Sequence, residues 1–121
     1  MSSVSPSEAS YHAIIRADPD NLIVFWSDGA ARLFGHSEEQ ALGQSLELII
    51  PEHLRAAHRK AYSAAMGDSA FKESTLDIPV LLADGQVREH AIRIVALRDA
   101  FDVAVGALAI FTSDGRTGIT P

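Results

Sequence analysis

The chain has 121 residues, a formal net charge of −6 and no cysteine, which suits one acidic domain with a single core. The acidic balance argues against a nucleic-acid or anionic-membrane partner, since both select basic surface. The missing thiols exclude disulfides, thiolate metal sites and a cysteine nucleophile.

Residues 1–11 read as a polar lead. Met1 to Ser10 lacks the apolar stretch of a signal peptide, and no apolar run reaches membrane-spanning length, so a cytoplasmic setting is expected. His12 to Ala17 and Leu22 to Trp26 are apolar runs joined by Asp18-Pro19-Asp20-Asn21, a strong turn signal, and predict a hairpin. Ser27 is placed to cap a short helix through Ala30, Ala31, Leu33 and Phe34. Gly35 then ends it, and Ser37 with Gln40 has capping-box spacing for one further turn, closed at Gly43. Another short turn is expected at Leu46 to Ile50. Pro51 to Met66 reads as the one long helix, with Leu54, Ala57, His58, Ala61, Tyr62 and Ala65 on its apolar face. Gly67-Asp68 is expected to stop it.

The last third alternates like strands. Leu76, Ile78 and Val80 alternate with Thr75, Asp77 and Pro79, and Pro79 points to a sheet edge or a bulge. Asp84-Gly85 predicts a tight hairpin turn into Val87 to Leu97, followed by Val103 to Phe111. A polar tail covers residues 114–121. Two strands, a helical middle and three strands make an α+β domain with a five-stranded antiparallel sheet over residues 12–113.

Three stretches carry a family resemblance. They are Ile23-Val24-Phe25-Trp26-Ser27, the run Arg32 to Gly43 containing Phe34-Gly35-His36-Ser37-Glu38-Glu39, and Leu48-Ile49-Ile50-Pro51-Glu52. In this order they resemble the PAS domain family, across roughly residues 12 to 113. The resemblance implies strand order 2-1-5-4-3 and a sensory input role. It also implies an apolar pocket between sheet and long helix, lined by Leu54, His58, Tyr62, Leu76, Ile92 and Ile94.

His58 is the residue with the most chemistry to offer. Leu54-Arg55-Ala56-Ala57-His58 is similar to the helix that carries the proximal iron ligand in haem-binding PAS sensors. That resemblance implies haem b ligated by His58, with Leu76, Ile92 and Ile94 on the distal side. Leu76 departs from the polar distal residue of the oxygen sensors, so carbon monoxide or nitric oxide would be the expected gases. The competing reading is a packed histidine in a cofactor-free module. His53 and His58 are five apart and point about 140° apart on a helix, so they cannot share a metal. His12 and His90 fall in strands, and whether His90 meets the pocket depends on register. His36 reads as a surface or packing position.

No catalytic constellation is evident, and the chain does not read as an enzyme. Flavin-adduct and coumarate-linked PAS domains need a cysteine, which this chain lacks. Val103 to Phe111 is apolar on both faces, which predicts a homodimer through the outer sheet face, helped by Ile23 or Phe25. The output partner is expected on another chain, or the sequence is a trimmed sensor piece. Two alternatives stand beside the ligand-binding sensor. One is a cofactor-free PAS module for dimerisation and docking, and the other a small α+β enzyme with an acid–base histidine.

Overall fold

Alternating apolar residues and tight turns give five strands, and the computed structural model, which describes residues 12–112, joins them in one antiparallel sheet. The expected lead over residues 1–11 and tail over 114–121 lie outside the described residues. The order is β2-β1-β5-β4-β3, as the resemblance implies. The strands are β1 (Ala13–Ala17), β2 (Ile23–Trp26), β3 (Glu73–Leu81), β4 (Val87–Arg98) and β5 (Ala104–Phe111). The helices are α1 (Asp28–Phe34), α2 (Glu38–Ala41) and α3 (Arg55–Gly67).

Local chemistry sets each corner. Asp18 Oδ1 accepts from the backbone N–H groups of Asp20 and Leu22, at 2.9 and 3.0 Å, and turns β1 into β2. Ser27 Oγ caps α1 by accepting from Ala30 N–H, and also accepts from Ile14 N–H, so one hydroxyl ties helix to strand. The Ser37–Gln40 capping box is reciprocal, as its spacing predicts. Gly35 ends α1 at φ +85°, and the next carbonyl back, Phe34 O, accepts from Ala83 N–H at 2.8 Å. That bond clips the end of α1 to the β3–β4 hairpin.

Four sequence expectations are revised. Pro51 to Met66 is not one helix: a 3-10 turn over Glu52–Leu54 precedes α3, which starts at Arg55 and runs to Gly67. Gly43 does not cap α2. It takes the left-handed corner of a turn in which Gln44 N–H reaches Ala41 O, after Leu42 has already left the helix. Gly67 is a helical residue, and Asp68 is the C-cap. The β3–β4 connection is a three-residue loop with Gly85 at φ +91°, wider than a two-residue turn.

The core sits at one end of the sheet. Trp26, Phe34 and Phe111 are fully buried and interlock, with centroids 5.7 Å apart for Trp26–Phe34 and 5.0 Å for Phe34–Phe111. Ile15, Ile23, Ala30 and Val80 are among the buried residues packed around them. At the other end α3 touches β5 and stands off from β3 and β4 across a gap, without one fully buried residue of its own. Dense packing under α1 and loose packing under α3 decide where a ligand could enter.

Pairing settles the faces, because directly opposed residues share a side of the sheet. Ile15 opposes Ala109, and Ala17 opposes Ala107, so Ala107 faces inward, as does buried Ile23. Ile14 opposes Ile110, Arg16 opposes Leu108, and Arg16 also opposes Phe25. The outward apolar groups therefore include Ile14, Phe25, Leu108, Ile110 and, opposite Leu108, Val95, whereas Ile23 and Ala107 face inward. Pro79 falls on edge strand β3, as expected of a residue that cannot complete a ladder on both sides.

Candidate functional site

The loose end of the domain holds a cavity of about 220 Å³ between α3 and strands β3 and β4. Its walls are His58, Ala61, Tyr62, Ala65 and Met66 from α3, Phe71 from the following loop, Ser74 and Leu76 from β3, and Ile94 from β4. Four sequence-predicted residues meet here: His58, Tyr62, Leu76 and Ile94. Leu54 and Ile92 do not. Leu54 belongs to the 3-10 turn and packs on the main core, and Ile92 is buried opposite Phe111. His90 faces inward opposite Ile78, yet its ring sits 5.9 Å from Phe111 and it is not part of the cavity wall.

The residues sequence reasoning missed are Ala61, Ala65, Met66, Phe71 and Ser74. The first two stand on the helical face already marked as apolar, and their small side chains leave the space open. Ser74 opposes Ile94 in the ladder, a register visible once β3 and β4 are paired. Phe71 lies between elements, where no periodicity marks it. Leu76 is 41% exposed and forms the mouth, so the cavity opens at the sheet edge.

His58 Nδ1 is buried and has no hydrogen-bond partner among the described residues. The His58 ring lies 6.1 Å from that of Tyr62, inclined by 31°. Burial pushes the His58 pKa below its ordinary value; nearby Glu47 pulls it up and Arg59 pushes it down, both more weakly. The neutral imidazole is thus the resting form at neutral pH. Burial, with Asp18 adding to it, pushes the Tyr62 phenol up to about 12, so it stays a donor. Its hydroxyl gives a 2.8 Å hydrogen bond to Asp18 O, tying α3 to the β1–β2 turn.

Haem needs a histidine ligand and a slot for a porphyrin. His58 supplies the imidazole, and Leu76 and Ile94 an apolar wall. The volume, however, lies below even the range of about 300–1,000 Å³ usual for drug-sized ligands. A porphyrin does not fit this cavity. Among the described residues no group of three or more histidine or carboxylate side chains could hold a metal ion. No helix among them is long and apolar enough to cross a membrane.

Comparison with known proteins agrees with this geometry. The PAS fold family matches residues 8–112, and the chain belongs to that family. The PAS domain of a protein from Colwellia psychrerythraea superposes with a TM-score of 0.74 at 26% identity, covering 84% of each chain. The light-state LOV domain of the blue-light photoreceptor Aureochrome1 gives 0.65 at 23% identity, over 85% of this chain and 80% of that one. Drosophila melanogaster Cycle PAS-B, with bound ethylene glycol, gives 0.67 at 14% identity, over 83% and 98%. At such identities the last two show the fold alone. A protein of Azorhizobium caulinodans described as uncharacterized is 32% identical over 83 residues. The match takes in 66% of this chain and 11% of that relative. The chain is a sensory and signalling module by family.

Proposed function

We propose that this PAS domain is a non-enzymatic input module that binds a small, mainly apolar molecule bearing one polar group. The observation that supports this most is the buried, unpartnered Nδ1 of His58 in an otherwise apolar wall. A buried polar atom without a partner is costly, and a ligand hydroxyl or N–H would relieve it once the His58 ring turns Nδ1 toward the cavity. The wall is the right one to move: α3 has no fully buried residue, and β3 is a sheet edge. Filling the cavity would shift α3 against the sheet and so carry the signal outward.

Enzymatic use of His58 as acid or base has little support, because no carboxylate lines the cavity and Glu47 is engaged by Arg59. Haem b held by His58 is disfavoured by the volume. The output partner is another protein surface, and the outer sheet face with Ile14, Phe25, Leu108 and Ile110 is proposed as the place for it, a second copy of the chain first. Phe25 is 45% exposed there.

Titration with phenol and with haemin tests the reading. Phenol should move amide resonances of His58, Ala65, Ser74 and Ile94, and Ala65→Phe should abolish the response. Silence from all four sites would refute the ligand pocket. A histidine-type Soret band on adding haemin, lost in His58→Ala, would restore haem b. For the assembly, Leu108→Glu with Ile110→Glu should give a monomer by light scattering where the parent chain gives a dimer. A monomeric parent would remove the homodimer.

A further inference from the structure

The cavity beside α3 has a shape that narrows its occupant. Because α3 touches β5 and stands off from β3 and β4, the space between them is a slot, open at the sheet edge by Leu76. On its helical side the lining residues fall in two rows at i, i+4 spacing. His58, Tyr62 and Met66 make one row, and Ala61 and Ala65 make the other. The first row carries two flat rings and a thioether, while the second is little more than backbone. Together they form a ridge beside a shallow trough.

The ridge is held in place. The Tyr62 hydroxyl donates to Asp18 O at 2.8 Å, and the His58 ring lies 6.1 Å from the Tyr62 ring. Phe71 adds a third ring to the wall. It is partly buried and pairs with no other ring among the described residues, whereas Trp26, Phe34 and Phe111 are all paired. A ring in that position lacks the edge or face contact that aromatic groups favour. The Met66 sulfur likewise favours the edge of a ring.

Volume sets the size of the occupant. An apolar cavity of about 150 Å³ holds benzene. The cavity here, about 220 Å³, leaves room for roughly two more heavy atoms at about 30 Å³ each. A fused second ring or a fatty chain exceeds that space.

Resting on the reading of this cavity as a ligand pocket, we infer that its ligand is a monocyclic phenol with at most one further small substituent. The flat ring sits in the Ala61–Ala65 trough, against the ridge and Phe71. A saturated ring with the same number of heavy atoms is puckered and thicker, and it offers no π face to Phe71 or Met66. Those two side chains are therefore the ones that select an aromatic ligand over an aliphatic one.

The test is an NMR titration of the whole chain at neutral pH with p-cresol and with 4-methylcyclohexanol, which share their heavy-atom skeleton. p-Cresol should bind about three- to tenfold more tightly, the scale of one or two aromatic and sulfur–aromatic contacts. Met66→Leu with Phe71→Leu should bring the two affinities within about twofold of each other, chiefly by weakening p-cresol. Binding of 4-methylcyclohexanol that persists in this variant shows its fold to be intact. Equal or reversed affinities in the parent chain would overturn the aromatic assignment and leave the pocket standing. So would an undiminished preference in the double variant. Binding of neither alcohol would remove the pocket as well.

Discussion

Removing the Tyr62 hydroxyl isolates one of the bonds that tie α3 to the rest of the domain, beside those of Arg55 to Ile50 O and Arg59 to Glu47. Tyr62→Phe keeps the ring beside His58 and deletes only the 2.8 Å bond to Asp18 O. A hydrogen bond of this kind contributes about 1 kcal/mol net. No further penalty is expected from the Asp18 carbonyl, because it still accepts from Asn21 N–H at 3.0 Å. For a domain of this size that loss lowers the Tm by about 4 °C. Thermal unfolding followed by Trp26 fluorescence is a direct assay, since Trp26 is in the core and remote from the change. High pH gives a second reading. The Tyr62 pKa is raised from 10.0 to about 12 in the fold, so its contribution is complete below pH 10 and fades as pH climbs to about 12. The gap between parent and variant should close over that window. An unchanged Tm at pH 7, or a gap that persists at pH 12, would refute the assignment of this bond as an anchor.

Two other outcomes follow from the same geometry. Gly106 has φ +137°, and a Cβ there would collide with the Ala17 carbonyl oxygen, whereas Gly43 at φ +86° has open space. Gly106→Ala should therefore lower the Tm by well over the shift seen in Gly43→Ala, which carries only backbone strain of about 1–2 kcal/mol; equal shifts in urea or thermal melts would count against it. The lowered His58 pKa means the unfolded chain binds the proton more readily, so the contribution of this residue is present above pH 6.5 and is lost as pH falls below it. Urea midpoints of the parent should drop across that fall more than those of His58→Gln, and parallel profiles would contradict the burial of the imidazole.

The caps and corners were legible because they depend on neighbours in sequence. Ser27, the Ser37–Gln40 box and the Asp18 turn each complete their bonds within four residues, apart from the extra tie to Ile14. Strand order came from the family pattern, since no hairpin rule dictates that β5 inserts between β1 and β4. The cavity was legible in half. Helical spacing placed His58 and Tyr62 correctly, while Leu54 was misplaced because the helix starts one residue after it. Ile92 has the right parity but the wrong position along β4, opposite Phe111, whose ring fills that space. Phe71 and Met66 close the cavity at the end of a helix and in a loop, where neither period applies.

The two margins of the sheet limit how the domain can meet other chains. At one margin β2 is four residues long, and the segment after α2 lies alongside its start through the Leu22–Ser45 bridge. At the other, nine-residue β3 carries Pro79, which removes a donor, together with charged Glu73 and Asp77. Neither margin offers an incoming strand an unbroken template, so growth into stacked fibrils is discouraged at both. Traffic with other proteins is left to the broad faces, and a mutation such as Pro79→Val would open a route to self-templating that the native chain keeps shut.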